Sequence, residues 1–253
     1  MSTKKIIRFA QFTDSHLFAE RDKLHYGANV FQNLQRVLAN LAAQTELDFI
    51  VFTGDLSQDH HPQSYQLFVD AVVDAGMQCP VYYLSGNHDD PALLTQYLAV
   101  PPFCQTTYFS IENWQFFLLA SKTNTPAGVI SESTLQQLTE QCSATQFQFL
   151  LLHHHPIDVG YFIDRHGLAN QQQFWQRIQP YPSIKAIACG HVHRALQITE
   201  PSSGTVLYTC PATSIQFDPA FDGIRALTNI PGYRLFTLSA DGQVQTQVVY
   251  ITE

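Results

Sequence analysis

The chain has 253 residues, 45% of them hydrophobic and only 13% charged, the balance of a compact globule rather than a disordered chain. Its formal net charge of −8 argues against a protein that grips nucleic-acid phosphates over a broad basic surface, although a local cluster of cations can still attract a small anion. No apolar run approaches the roughly 20 residues that span a bilayer, so neither a membrane nor a nucleic acid is an expected partner. The basic start of the chain leads through a short apolar stretch into Asp14 with no small-residue cleavage site, which reads as no signal peptide and a cytoplasmic location. Five cysteines (Cys79, Cys104, Cys142, Cys189, Cys210) are scattered and make no CxxC, the pattern of reduced thiols.

In chain order, short runs rich in β-branched and aromatic residues read as strands at 6–12, 48–52, 81–84, 114–120, 147–152 and 184–189. Most are apolar on both faces, as strands between two layers must be. Segments with helical spacing lie between them: 30–43, 64–75 and 131–142, the last with Ser131 as N-cap. After residue 190 the helices stop, and 196–199, 206–209, 214–217, 233–238 and 244–251 read as strands. With no repeat and no linker, the prediction is one α/β domain over 1–253. Its 14–193 part alternates strand and helix and its 194–253 part is mostly antiparallel. Two face-to-face sheets with helices outside, four layers in all, is the simplest architecture.

Each predicted α/β strand except 114–120 is followed by metal-capable side chains. They are Asp14 and His16, then Asp55, then Asn87, His88 and Asp89, then His153-His154-His155, then His191 and His193. The carboxyl edge of such a sheet is where ligands bind. One D-x-H or H-x-H arises readily by chance, but five such clusters at the ends of six predicted strands do not. Carboxylates, imidazoles and an amide oxygen without thiolate suit Mn, Fe, Zn or Co. They exceed one ion's need, which points to two metals sharing a carboxylate, a clamp for displacement at phosphorus.

D-x-H (Asp14, His16), G-D (Gly54, Asp55), G-N-H-D (Gly86 to Asp89), H-H-P (His154 to Pro156) and G-H-x-H (Gly190 to His193) resemble, in order, the motifs of the calcineurin-like metallophosphoesterases. Further likeness in 54–59, 64–65, 211–217 and 232–234 is to the bacterial class III 3′,5′-cyclic-AMP phosphodiesterases. The resemblance implies a β-sandwich flanked by helices with a dinuclear centre. Asp14, His16 and His193 would hold one metal, Asn87, His154 and His191 the other, and Asp55 would bridge. His153 is then a packing residue or one that supports the ligands from behind, and His155 a turn residue beside Pro156, though strand alternation alone cannot say which side of the triplet faces the metals.

The implied reaction is in-line attack of a metal-bridging hydroxide on a small phosphodiester, with His88 protonating the leaving oxygen. The favoured substrate is 3′,5′-cyclic AMP, giving 5′-AMP. The rivals are a glycerophosphodiester, a nucleotide monoester or a lipid-nucleotide, and, from another class, a non-catalytic binding module of the same fold. Specificity is expected to come from 58–63 and 159–173, in a monomer or homodimer. Many members of the superfamily carry an acid three residues after the bridging Asp. Here Gln58 stands there and Asp59 follows, leaving the carboxylate partner of His88 open.

Overall fold

Two mixed sheets of six strands each carry the chain in a computed structural model that describes residues 6–252. Most of the basic start read as carrying no leader lies outside the described residues. One sheet runs Val244–Tyr250, Gly232–Leu238, Ile7–Phe12, Phe49–Phe52, Val81–Tyr83, Phe103–Cys104. The other runs Gln197–Thr199, Val206–Thr209, Ile184–Cys189, Phe147–Leu152, Trp114–Leu119, Tyr108–Ile111. The central strands of both are parallel, and parallel neighbours need crossovers, which the helices supply.

Strand alternation divides the apolar residues between two cores. Phe9 faces the opposite sheet, meeting Phe116 and Phe149 edge-on at 5.8 and 5.1 Å while stacking on Phe49 and Phe236 within its own. Phe12 and Phe52 face the other way, onto Phe68 of helix Pro62–Asp74. On the far side, Leu135, Leu138, Phe174 and Ile178 of helices Glu132–Gln141 and Gln171–Ile178 are buried in the same outer core as Leu150 and Ile187. The four-layer sandwich expected from the sequence is the observed architecture.

Helix starts obey local chemistry. Asn29 caps Val30–Ala42 by accepting the Gln32 N–H, and Ser131 accepts that of Thr134. The helix read at 64–75 starts earlier, at Pro62, because His61 Nδ1 accepts the Gln63 N–H and proline suits the first turn. The C-terminal strands do not form one sheet of their own: Gln216–Phe217 and Ala226–Thr228 pair as a separate two-stranded ribbon, and the others join the two main sheets. Val206–Thr209 extends the second sheet in parallel with Ile184–Cys189, whereas Gly232–Leu238 pairs antiparallel with the N-terminal strand in the first. The late strands thus clamp both sheets beside the motif-bearing ones. No helix among the described residues is long and apolar enough to cross a membrane.

Candidate metal centre

All five motif loops leave the carboxyl ends of parallel strands at one edge of the sandwich. The first sheet delivers Asp14, His16, Asp55 and Asn87, and the second delivers the histidine triplet, His191 and His193. Turning sharply enough to aim inward forces unusual backbone. Asp14, His16, Asp55, His191 and His193 all have φ between 46° and 65°. Non-glycine residues rarely adopt that region, and it persists only where surroundings over-determine it.

The surroundings are hydrogen bonds from loop to loop. Asp14 N–H donates to Gly54 C=O and His16 N–H to Asp55 C=O. The His191 N–H donates to the Asp14 carboxylate at 3.0 Å. Asp89, wholly buried, accepts N–H donors from Asp55, Leu56 and Gly86 at 2.8 Å each. Burial and the nearby Asp55 push its carboxyl up to about 7. Glycine matters at Gly86: a Cβ there would sit 2.1 Å from Asp55 Oδ1 and 2.4 Å from Asp55 N.

Asp55 lies at the centre. Its Oδ1 accepts the His88 N–H at 2.8 Å, while Oδ2 is 3.7 Å from His16 Nε2 and 3.4 Å from His153 Nε2. On one side Asp14 Oδ1 is 3.4 Å from His193 Nε2, which is 3.1 Å from His16 Nε2. On the other, His153 Nε2 is 3.0 Å from Asn87 Oδ1 and 3.2 Å from His191 Nδ1. The two clusters meet at Asp55.

The triplet is arranged otherwise than the sequence led us to expect. His153, not His154, faces Asp55 and Asn87. Its Nδ1–H donates to the Thr53 carbonyl at 2.8 Å, which leaves Nε2 pointing into the cluster. His154 turns away: Nδ1 is bonded to Ser121 Oγ at 2.8 Å and Nε2–H to the Pro126 carbonyl at 3.1 Å. It stays within 4.8 Å of the His153 and His191 ring nitrogens, but both of its own are engaged. His155 is no plain turn residue. Buried, it bonds Asp164 at 3.1 Å and ties the segment around the 3₁₀ turn Phe162–His166 to the strand end.

The donor set fits cations. Burial lowers His16 and His191 well below the usual imidazole range, so both are neutral, and His16 Nδ1 and His191 Nε2 are buried without a partner. Burial also opposes charge on His153, but the Asp55 carboxylate outweighs it and raises that imidazole to about 9. Asp55 itself resists the upward pull of burial and is held well below the carboxylate range, chiefly by His153. The Asp55 carboxylate and the Asn87 amide oxygen around His153 Nε2 favour positive charge there, which a cation would supply in place of that proton, and the carbonyl bonds on Nδ1 of His153 and His193 fix the orientation expected of metal-ligating rings.

A rim surrounds this floor. His88 stands perpendicular to His16 at 5.0 Å and faces His60 at 6.1 Å. His25 lies parallel on His16, centroids 5.3 Å apart. No motif flagged His25, because it reaches the site from a separate two-residue hairpin. Lys122, likewise unremarked in the sequence, donates to the Asn87 carbonyl at 2.7 Å and pins that loop. His61 is a helix cap, and Asp59 accepts from Ala19 N, His61 N and Ser64 Oγ, so Asp59 holds a loop rather than His88. Asn170 sits at the start of its helix but bonds Ile130 N and O instead of capping it.

The family model described as "Calcineurin-like phosphoesterase" matches residues 7–195, which include every strand and loop of this centre except the backing strands of the C-terminal part. The chain is a calcineurin-like phosphoesterase. It is 52% identical to a "Probable cyclic nucleotide phosphodiesterase" of Colwellia psychrerythraea, over 97% of this chain and 95% of that one. It is 35% identical to the 3′,5′-cyclic adenosine monophosphate phosphodiesterase CpdA of Escherichia coli K12, over 96% and 89%. Among solved structures, a dimetal phosphatase from Danio rerio superposes with a TM-score of 0.66 at 15% identity, covering 97% and 99% of the two chains, a likeness of fold.

Proposed function

We propose that this phosphoesterase is a dinuclear-metal phosphodiesterase that hydrolyses 3′,5′-cyclic AMP to 5′-AMP. The observation that carries the reading is the pair of side-chain clusters meeting at Asp55, one formed by Asp14, His16 and His193, the other by Asn87, His153 and His191. The names of the relatives support the cyclic nucleotide. In this assignment His153 takes the place that the sequence gave His154, Asp55 is shared, and the metals are two of Fe, Mn, Zn or Co, which favour such mixed oxygen and nitrogen donors. Bound there, two cations would lower the pKa of water and offset charge on phosphoryl oxygens.

The chain's own residues do the rest. The His88 backbone is fixed to Asp55, so its ring stands beside the phosphoryl site. Burial holds that imidazole below its ordinary value and neutral. An arriving phosphate anion would raise it, letting His88 take up a proton and deliver it to the ribose 3′ oxygen as the bond to phosphorus breaks. Among the described residues no carboxylate hydrogen-bonds the His88 ring; burial lowers its proton affinity, and the nearby Asp55 carboxylate partly offsets that. The five free cysteines suit a reducing compartment, and the cytoplasm is the proposed location.

The test is hydrolysis of cyclic AMP by metal-reconstituted protein, wild type beside Asn87→Ala. We expect 5′-AMP from the wild type and loss of turnover in the variant. Cyclic AMP left intact while a chromogenic diester is cleaved would overturn the substrate and keep the centre. The glycerophosphodiester, nucleotide monoester and lipid-nucleotide would then be tried in turn. No cleavage of either with Mn, Fe, Zn or Co supplied would sink the enzymatic reading in favour of a binding module.

A further inference from the structure

A metal centre recognises phosphate and is blind to the base one sugar away. The base must be read by the rim, where one feature has a cost that packing does not explain. The short strands Leu24–His25 and Ala28–Asn29 form a hairpin whose two turn residues, Tyr26 and Gly27, have φ of 46° and 84°. Positive φ at both central positions marks a type I′ turn, normally Asn-Gly or Asp-Gly. Here the first position is a tyrosine, which pays for αL backbone and is 51% exposed as a residue. Strain combined with an exposed aromatic is a reason to look for a ligand.

The position of that ring is specific. His25 lies parallel on the metal-centre residue His16, and Tyr26 meets His25 nearly perpendicular, centroids 4.7 Å apart. Tyr26 therefore touches the ring that lies on His16, on the His16 side of the centre. The opposite flank is closed: Phe217 stacks on His193 at 3.9 Å, and Phe162 packs behind it. An exposed aromatic side chain beside the centre is therefore found at the hairpin, and not at His193.

Resting on the cyclic-nucleotide reading above, we propose that Tyr26, backed by His25, is the specificity-determining platform on which the purine base of the substrate stacks. Stacking of a base on an aromatic side chain needs no hydrogen-bond code, only an accessible face and a phosphate anchored within reach. This locates recognition in the 24–29 hairpin, whereas the sequence pointed to 58–63 and 159–173.

Calorimetric binding to metal-loaded protein tests it, with 5′-AMP and ribose 5-phosphate as the probes, since they share a phosphate and sugar and differ by the base. The wild type should bind 5′-AMP about tenfold or more tighter than ribose 5-phosphate. In Tyr26→Asn, a residue that tolerates the αL turn, that ratio should fall to near one, and in Tyr26→Phe it should persist. An unchanged ratio in Tyr26→Asn, or no preference for 5′-AMP in the wild type, overturns the platform. So does a collapse caused instead by Phe221→Ala, in the 450 Å³ cavity between Phe162 and Phe221. Because binding is what is read, with both probes assayed for released phosphate over the titration, the outcome is independent of whether cyclic AMP proves to be hydrolysed.

Discussion

The floor of the metal centre and the rim above it are built by opposite rules. On the floor, Asp14, Asp55, His153, His191 and His193 are buried, most on strained backbone, and each is tied to another loop by a hydrogen bond. On the rim, His25, Tyr26, His60 and His88 are half-buried or exposed, held by ring contacts and short turns. The floor has one solution, since moving any donor disturbs the loop to which it is bonded. The rim can change residue by residue without disturbing the floor, so phosphate chemistry and choice of substrate are separable in this fold.

The largest effect expected of a single change tests the floor directly. His153→Ala should lose bound metal and lower turnover by more than the roughly 10- to 100-fold typical of removing a partner behind a ligand. His154→Gln should stay within that range. Metal content by elemental analysis beside turnover decides between them. Metal retained by His153→Ala and lost by His154→Gln would restore the arrangement expected from the sequence and reverse ours.

That pair also shows where sequence reading stops. Period-two alternation told us that His153 and His155 point away from His154, and nothing local told us which side faced the metals. The choice is made at long range: Thr53, a hundred positions away, offers the carbonyl that orients His153, and Ser121 with Pro126 fills both nitrogens of His154. The sandwich and the order of motif loops were legible because buried parallel strands need long apolar runs and their carboxyl ends need polar turns. The rim was not, because His25 and Tyr26 acquire meaning only when a two-residue hairpin folds over His16. The division of the C-terminal strands between both sheets was hidden for the same reason, since pairing partners are set by tertiary register.

A smaller effect separates floor from rim by stability. In Gly86→Ala the new Cβ meets the Asp55 backbone, which cannot swing aside, and we expect a loss of about 1–3 kcal/mol. Asp89→Asn should cost a similar amount, about 1–3 kcal/mol, because an amide turns its NH₂ toward N–H donors of Asp55 and Gly86 or of Leu56. His60→Ala on the rim should stay within about 0.5 kcal/mol. Urea unfolding midpoints rank the three, and equal losses at Gly86 and His60 would erase the distinction.

The smallest loss expected of the buried contacts lies between floor and rim, at the tether from His155 to Asp164. Burial raises the Asp164 carboxyl, but the His155 bond and the N–H donors of Val159 and Gly160 outweigh it and hold the group below its ordinary value. A depressed carboxylate contributes stability in full above its unfolded pKa and loses it as pH falls through the folded one. Wild type should therefore lose stability more steeply than Asp164→Asn as pH drops below the ordinary carboxylate range, the gap between them closing by no more than about 1 kcal/mol because solvent reaches Asp164. Parallel pH profiles would mean that the tether acts through shape alone. Converging profiles, with metal content unchanged, would place the electrostatic grip on this segment outside the floor, where substrate-facing loops can be retuned without loss of the centre.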